Sequence, residues 1–104
     1  MKTEVAPDVL RSVKLFSDEL LKRYLSIEQI LLFGSQVKGT AKPDSDIDVL
    51  IIVQDENEWN AINTEGFQIK YDIDQRIHFN AATYEFNEQF IDKIRLEAVV
   101  IYDR

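Results

Sequence analysis

The chain has 104 residues, 45% of them apolar, no cysteine and a formal net charge of −7. That length holds one domain with a modest core, and the absence of cysteine excludes disulfides and thiolate metal sites. With 19 acidic against 12 basic side chains and no basic cluster, nucleic acid is an unlikely partner, because gripping its backbone takes cationic side chains that displace counterions.

Residues 7–25 are predicted helical. Pro7 suits a first helical position and Asp8 the positive end of the dipole. Val9, Val13, Phe16, Leu20 and Tyr24 form one apolar stripe that Leu10 and Leu21 widen. Residues 28–33 are predicted to be a central strand. A short helix follows over Ser35–Lys38, then a β-branched strand over 46–53. Asp55 to Glu65 is predicted to be a short helix ended by Gly66. Residues 67–79 alternate: Phe67, Ile69, Tyr71, Ile73 and Ile77 on one face, Gln68, Lys70, Asp72, Asp74, Arg76 and His78 on the other. That alternation predicts a third strand. A helix over 83–95, carrying Phe86, Phe90, Ile91 and Ile94, and a closing strand over Ala98–Tyr102 complete the chain. The expected fold is α/β (α+β), a small mixed sheet with packed helices, and one domain spans residues 1–104.

No stretch reaches the roughly 18 apolar residues of a membrane span. Met1-Lys2-Thr3-Glu4 lacks the apolar core of a signal peptide. The expectation is a cytoplasmic protein, without disulfides and away from the membrane. The acidic surface would suit a basic protein partner.

The chemistry concentrates in Leu32-Phe33-Gly34-Ser35 and, ten residues on, Asp46-Ile47-Asp48. Residues i and i+2 of a strand share a face, so Asp46 and Asp48 project side by side. Adjacent carboxylates repel unless a cation lies between them, and oxygen-rich sites of this kind suit Mg²⁺ with waters and substrate phosphates. The Gly34-Ser35 turn offers backbone N–H groups to a phosphate. Together they outline a phosphoryl-transfer site.

The wider pattern is Leu32-Phe33-Gly34-Ser35-Gln36-Val37-Lys38-Gly39, then Pro43-Asp44-Ser45-Asp46-Ile47-Asp48-Val49-Leu50. It resembles the signature of the DNA polymerase β-like nucleotidyltransferase superfamily, and the short chain resembles its minimal nucleotidyltransferase branch. A weaker likeness runs on to Ile91-Asp92-Lys93-Ile94-Arg95 and Val99-Val100-Ile101-Tyr102. One departure is Gln36, where the family often has Arg.

The resemblance implies the nucleotidyltransferase fold and Mg²⁺-dependent transfer of a nucleoside monophosphate from a nucleoside triphosphate, ATP foremost, to a hydroxyl. It implies that Asp46 and Asp48 hold the metal, that Gly34, Ser35 and Lys38 bind the nucleotide, and that a third acidic residue joins from another strand. Asp72 and Asp74 share the polar face of the expected 67–79 strand, so alternation does not separate them. Setting the family's hydrophobic run on Arg76-Ile77-His78-Phe79 prefers Asp74, with Asp72 as the alternative third ligand. The resemblance further implies a helical HEPN-type protein partner in a toxin–antitoxin pair, adenylylated by this chain as antitoxin.

Plainer readings stand beside these. Lys42, like Lys38, either contacts phosphate or is solvated. His78 reads as a surface residue at a strand end sooner than as a member of the site, and Trp59, Phe86 and Phe90 read as core sooner than as a base-stacking platform. Arg76 suits an ion pair with Asp74 as well as a substrate contact. Two other functions compete: a catalytically silent module that neutralises a partner by contact, and transfer to a small molecule such as an antibiotic.

Overall fold

The computed structural model describes residues 5–104. The reading of Met1–Glu4 lies outside the described residues. The first helix, α1, spans Pro7–Arg23, and Tyr24 leaves it in extended conformation. It leads into β1 (Ile27–Phe33). The short α2 (Ser35–Lys38) is bounded by Gly34 and Gly39, both at positive φ. Strand β2 (Ile47–Val53) is followed by α3 (Glu56–Ile73), β3 (Ile77–Ala82), α4 (Tyr84–Arg95) and β4 (Val99–Asp103).

The four strands lie in the order β3-β2-β1-β4. Strand β1 runs antiparallel to both β2 and β4, whereas β2 and β3 are parallel. A parallel pair needs a crossover, most often a helix, and α3 supplies it. Side chains alternate across the sheet. Ile47, Val49, Ile51 and Val53 of β2 join Val9, Val13, Phe16 and Leu20 of α1 and Ile62 and Ile69 of α3 in one core. Leu50 and Ile52 join Leu31, Ala82, Ile91 and Ile94 in a second core under α4. The sheet therefore carries α1 and α3 on one face and α4 on the other.

The expected strand over 67–79 is corrected. Residues 67–73 continue α3, and the strand occupies Ile77–Ala82 instead. Helix α3 starts firmly: the Asp55 carboxylate accepts from the N–H groups of Asn57 (2.7 Å) and Glu58 (3.2 Å). Its buried residues, Ile62, Gly66 and Ile69, follow helical spacing. Gly66 does not end the helix. It faces the Phe79 ring, where a Cβ would come within 2.6 Å of Cζ. The alternation misled because 67/71 and 69/73 are also i,i+4 pairs of a helix. Ile69 is buried, while Phe67 and Tyr71 lie exposed.

Two aromatic expectations change as well. Phe86 and Phe90 are exposed on α4. Trp59 is only partly covered, and its indole N–H donates to the Ala81 carbonyl at 2.7 Å. Asn63 bonds both the N–H and the carbonyl of Ala81, and the Lys70 ammonium reaches the Ile77 carbonyl at 2.7 Å. Side chains of α3 thereby occupy the outer edge of β3, which a bare edge strand would leave open to pairing.

Candidate active site

Helix α4 covers only part of its face of the sheet. Beyond it, three neighbouring strands present one row of side chains. Phe33 pairs across β1–β2 with Asp48, and Asp48 pairs across β2–β3 with His78. Parity along β2 puts Asp48 on the same face as Leu50 and Ile52, which lie under α4. Asp46 immediately precedes the strand and is exposed, Ile47 is buried, and Asp48 is partly exposed. The Asp48 carboxylate thus projects away from the α1/α3 core, and Asp46 lies exposed just before the strand.

The turn after β1 meets this row. Gly34 has φ +82, and a Cβ there would overlap the Asp48 carboxylate. The backbone of the Gly34-Ser35 turn and Asp48 therefore stand in direct contact, with glycine required by both the conformation and the space. The carbonyl of Gly34 accepts from the N–H groups of Val37 and Lys38, each at 3.1 Å, closing the single turn of α2.

Gln36 occupies the position at which the signature departs from the family. It is buried, and its amide donates to the carbonyls of Ser45 (3.4 Å) and Asp46 (3.3 Å). The segment entering β2 is further tied by a turn in which the Ser45 hydroxyl accepts from the Lys42 N–H at 2.7 Å. These bonds fix the backbone from which Asp46 projects. Lys42 itself is exposed.

Lys38 is exposed and lies 3.5 Å from the Glu97 carboxylate. It lines a groove of about 440 Å³ with Phe33, Gly34, Phe90, Lys93 and Leu96. Lys93 carries no signal in the sequence that would place it here, and Phe90, which reads as core before base-stacking, lines the groove instead.

The third carboxylate is the point at which expectation and structure part. Asp72 lies inside α3, exposed, accepting from the Gln68 amide at 3.4 Å. That helix packs on the opposite face of the sheet from Asp48. Asp74 is the residue capping the C-terminal end of α3. Its carboxylate accepts from the Ser12 hydroxyl (2.8 Å) and from the Arg76 guanidinium (2.8 and 3.1 Å). Those Arg76 bonds, with Ser12 and the Arg76 N–H adding to them, hold its pKa down at about 2 against the opposing pull of burial. Arg76 also binds Asp8 of α1 at 3.1 Å. Asp74 serves as an anchor between α1 and the start of β3. The residue beside Asp48 on the third strand is His78, whose Nδ1 lies 3.2 Å from the Asp48 Oδ1.

Among the described residues, no three His, Cys, Asp or Glu side chains converge as a ready-made metal cage. Mg²⁺ does not demand one: it is commonly held by one or two carboxylates plus substrate phosphates. Asp46 and Asp48, two residues apart at the entry to β2, supply the carboxylate oxygens that such a cation takes.

The family model for polymerase beta nucleotidyltransferases matches residues 18–104. The chain belongs to the polymerase β nucleotidyltransferase family. It is thus a transferase of the nucleotidyltransferase type. No curated protein matches the chain. A proposed nucleotidyltransferase from Sulfolobus solfataricus, 20% identical, superposes with a TM-score of 0.66 over 92% of this chain and 81% of that one. A toxin–antitoxin structure solved with AMP-PNP, 17% identical, gives 0.53 over 88% of this chain and 73% of that one. At such identities the two structures show the shared nucleotidyltransferase fold. Among the described residues, no helix is long and apolar enough to cross a membrane.

Proposed function

We propose that this nucleotidyltransferase transfers a nucleoside monophosphate from a nucleoside triphosphate, ATP foremost, to a hydroxyl on a protein partner. The observation that carries this reading is the contact between the Gly34 turn and the Asp48 carboxylate. It joins a phosphate-binding backbone to a metal-binding side chain within one substrate's length. Asp46 and Asp48 hold a divalent cation together with the triphosphate. That cation, when bound, offsets phosphate charge and keeps the triphosphate oriented. Gly34 and Ser35 give their N–H groups to phosphate oxygens, and Lys38 adds a positive charge at the groove. The acceptor oxygen bonds to the α-phosphorus, the bond from that phosphorus to the bridging oxygen breaks, and pyrophosphate leaves. The hydroxyl proton passes to water.

A protein acceptor is favoured because the chain offers few walls of its own around a base or an acceptor. Exposed Phe86, Phe90 and Leu96 suit contact with another surface. The likeness to a toxin–antitoxin structure with AMP-PNP supports an adenine nucleotide and a toxin as that partner, and the HEPN type follows from the resemblance in sequence alone.

A second reading is a binding module that neutralises its partner by contact alone. The observation in its favour is that Asp74 is engaged by Arg76 and Ser12 and does not stand free as a third carboxylate. One experiment separates the two. The chain is incubated with the HEPN-type toxin it is proposed to modify and with ATP labelled at the α-phosphorus. Catalysis predicts label on the partner, lost in Asp48→Asn. Full neutralisation by Asp48→Asn, with no label from either protein, selects the contact reading.

A further inference from the structure

Strand β3 brings a nitrogen donor, and no carboxylate, to the position beside Asp48. Asp48 and His78 are register partners in the parallel β2–β3 ladder. Their side chains meet on the same face of the sheet, with His78 Nδ1 3.2 Å from Asp48 Oδ1. The imidazole is 64% exposed and Asp48 26%, so both atoms are accessible to an incoming ion. Two neighbouring ligands of an octahedral cation at metal–ligand distances near 2.1 Å stand about 3 Å apart. The spacing of Nδ1 and Oδ1 matches that edge. The groups that would otherwise supply a third oxygen are committed elsewhere: Asp74 to Arg76 and Ser12, Asp72 to the far face.

We propose that His78 is a metal ligand of this site, and that the mixed nitrogen–oxygen set makes the chain prefer Mn²⁺ to Mg²⁺. The inference rests on the proposed function, because it takes Asp48 as the ligand His78 joins. Mg²⁺ and Mn²⁺ are both at home among carboxylate, carbonyl and water oxygens, but Mn²⁺ is a first-row transition ion and accepts an imidazole nitrogen more readily than the harder Mg²⁺. Neutral imidazole with its proton on Nε2 presents a lone pair at Nδ1. In the free protein the Nδ1–Oδ1 contact is a hydrogen bond only with a proton on Nδ1; a shared cation takes that proton's place, and the ring then carries its one proton on Nε2. His78 adds affinity for ions that accept nitrogen and little for Mg²⁺.

The test is pulsed electron paramagnetic resonance of Mn²⁺ held by the full chain in the presence of inorganic triphosphate. That ligand contains no nitrogen, so a ¹⁴N modulation on the Mn²⁺ signal reports a protein nitrogen. The wild-type chain is expected to show it, and His78→Gln to lose it. Competition titrations should then show Mn²⁺ binding weakened about tenfold in His78→Gln and Mg²⁺ binding nearly unchanged. Mn²⁺ retained through Asp48 without ¹⁴N modulation would overturn the role of His78 and leave the proposed function standing. Failure to retain Mn²⁺ at all, in wild type as in Asp48→Asn, would overturn both.

Discussion

Gly34 and Asp48 touch: the space that a side chain at 34 would fill holds the Asp48 carboxylate. The relationship joins the end of β1 to the start of β2 and sets the distance between the turn's backbone and the carboxylate, to which the proposed function gives the phosphate and the cation. Gly34→Ala therefore has two costs, a positive φ unsuited to alanine and a collision with Asp48. A loss of about 1–3 kcal/mol in stability is expected from urea melts, with nucleotide binding abolished. Adding Asp48→Ala should recover the collision part of the stability and none of the binding. An additive double-mutant cycle would show that the two residues do not act together.

Asp74 carries a different expectation from that of Asp46 and Asp48. Its pKa is lowered from 3.8 to about 2, so the ionised form is the one stabilised by folding. That stability is present above the ordinary carboxylate pKa and is lost as pH falls from about 4 towards 2. Asp74→Asn should lower stability at neutral pH by about 1–2 kcal/mol, reduced from the full shift because water screens the pair. It should also flatten the acid limb of the stability curve in that window. Melts from pH 7 to pH 2 give the comparison. An unchanged acid limb would contradict the anchoring role.

Gly66 separates helix propensity from packing. In an exposed helix interior, Gly→Ala gains about 1 kcal/mol. Here the added Cβ meets the Phe79 ring, itself held between Phe16 at 5.4 Å and Phe67 at 5.1 Å between ring centroids. Gly66→Ala should destabilise by about 1–3 kcal/mol. In a Phe79→Leu background, where the ring is gone, the same change should become neutral or stabilising. Chemical melts of the four proteins decide this.

The strands and helices up to Val53 were legible because each carried a single period. Val9, Val13, Phe16 and Leu20 fit only a helix, and Ile30 to Phe33 ends at a glycine that cannot be replaced. The Gly34–Asp48 relation was legible for the same reason: both residues lie at sharp changes of pattern. Residues 67–73 were not, since their apolar positions satisfy alternation and i,i+4 spacing together. The choice was made by tertiary packing, through Gly66 against Phe79 and Ile69 in the core. Misplacing that one element carried Asp72 and Asp74 onto a strand face that neither occupies. It also hid His78, which reads as a strand end until β3 is set in register with β2.

In the proposed function, Asp46 and Asp48 bind nucleotide through a shared cation beside Gly34. Titration calorimetry of the isolated chain with ATP, with and without Mg²⁺ or Mn²⁺, tests it most directly. Weak binding, micromolar or worse, that requires the cation is the expected result. Asp48→Asn should abolish it while shifting stability by no more than about 0.5 kcal/mol, as expected for a partly exposed side chain outside both cores. Binding that persists without divalent cation, or that survives Asp48→Asn undiminished, would contradict the account.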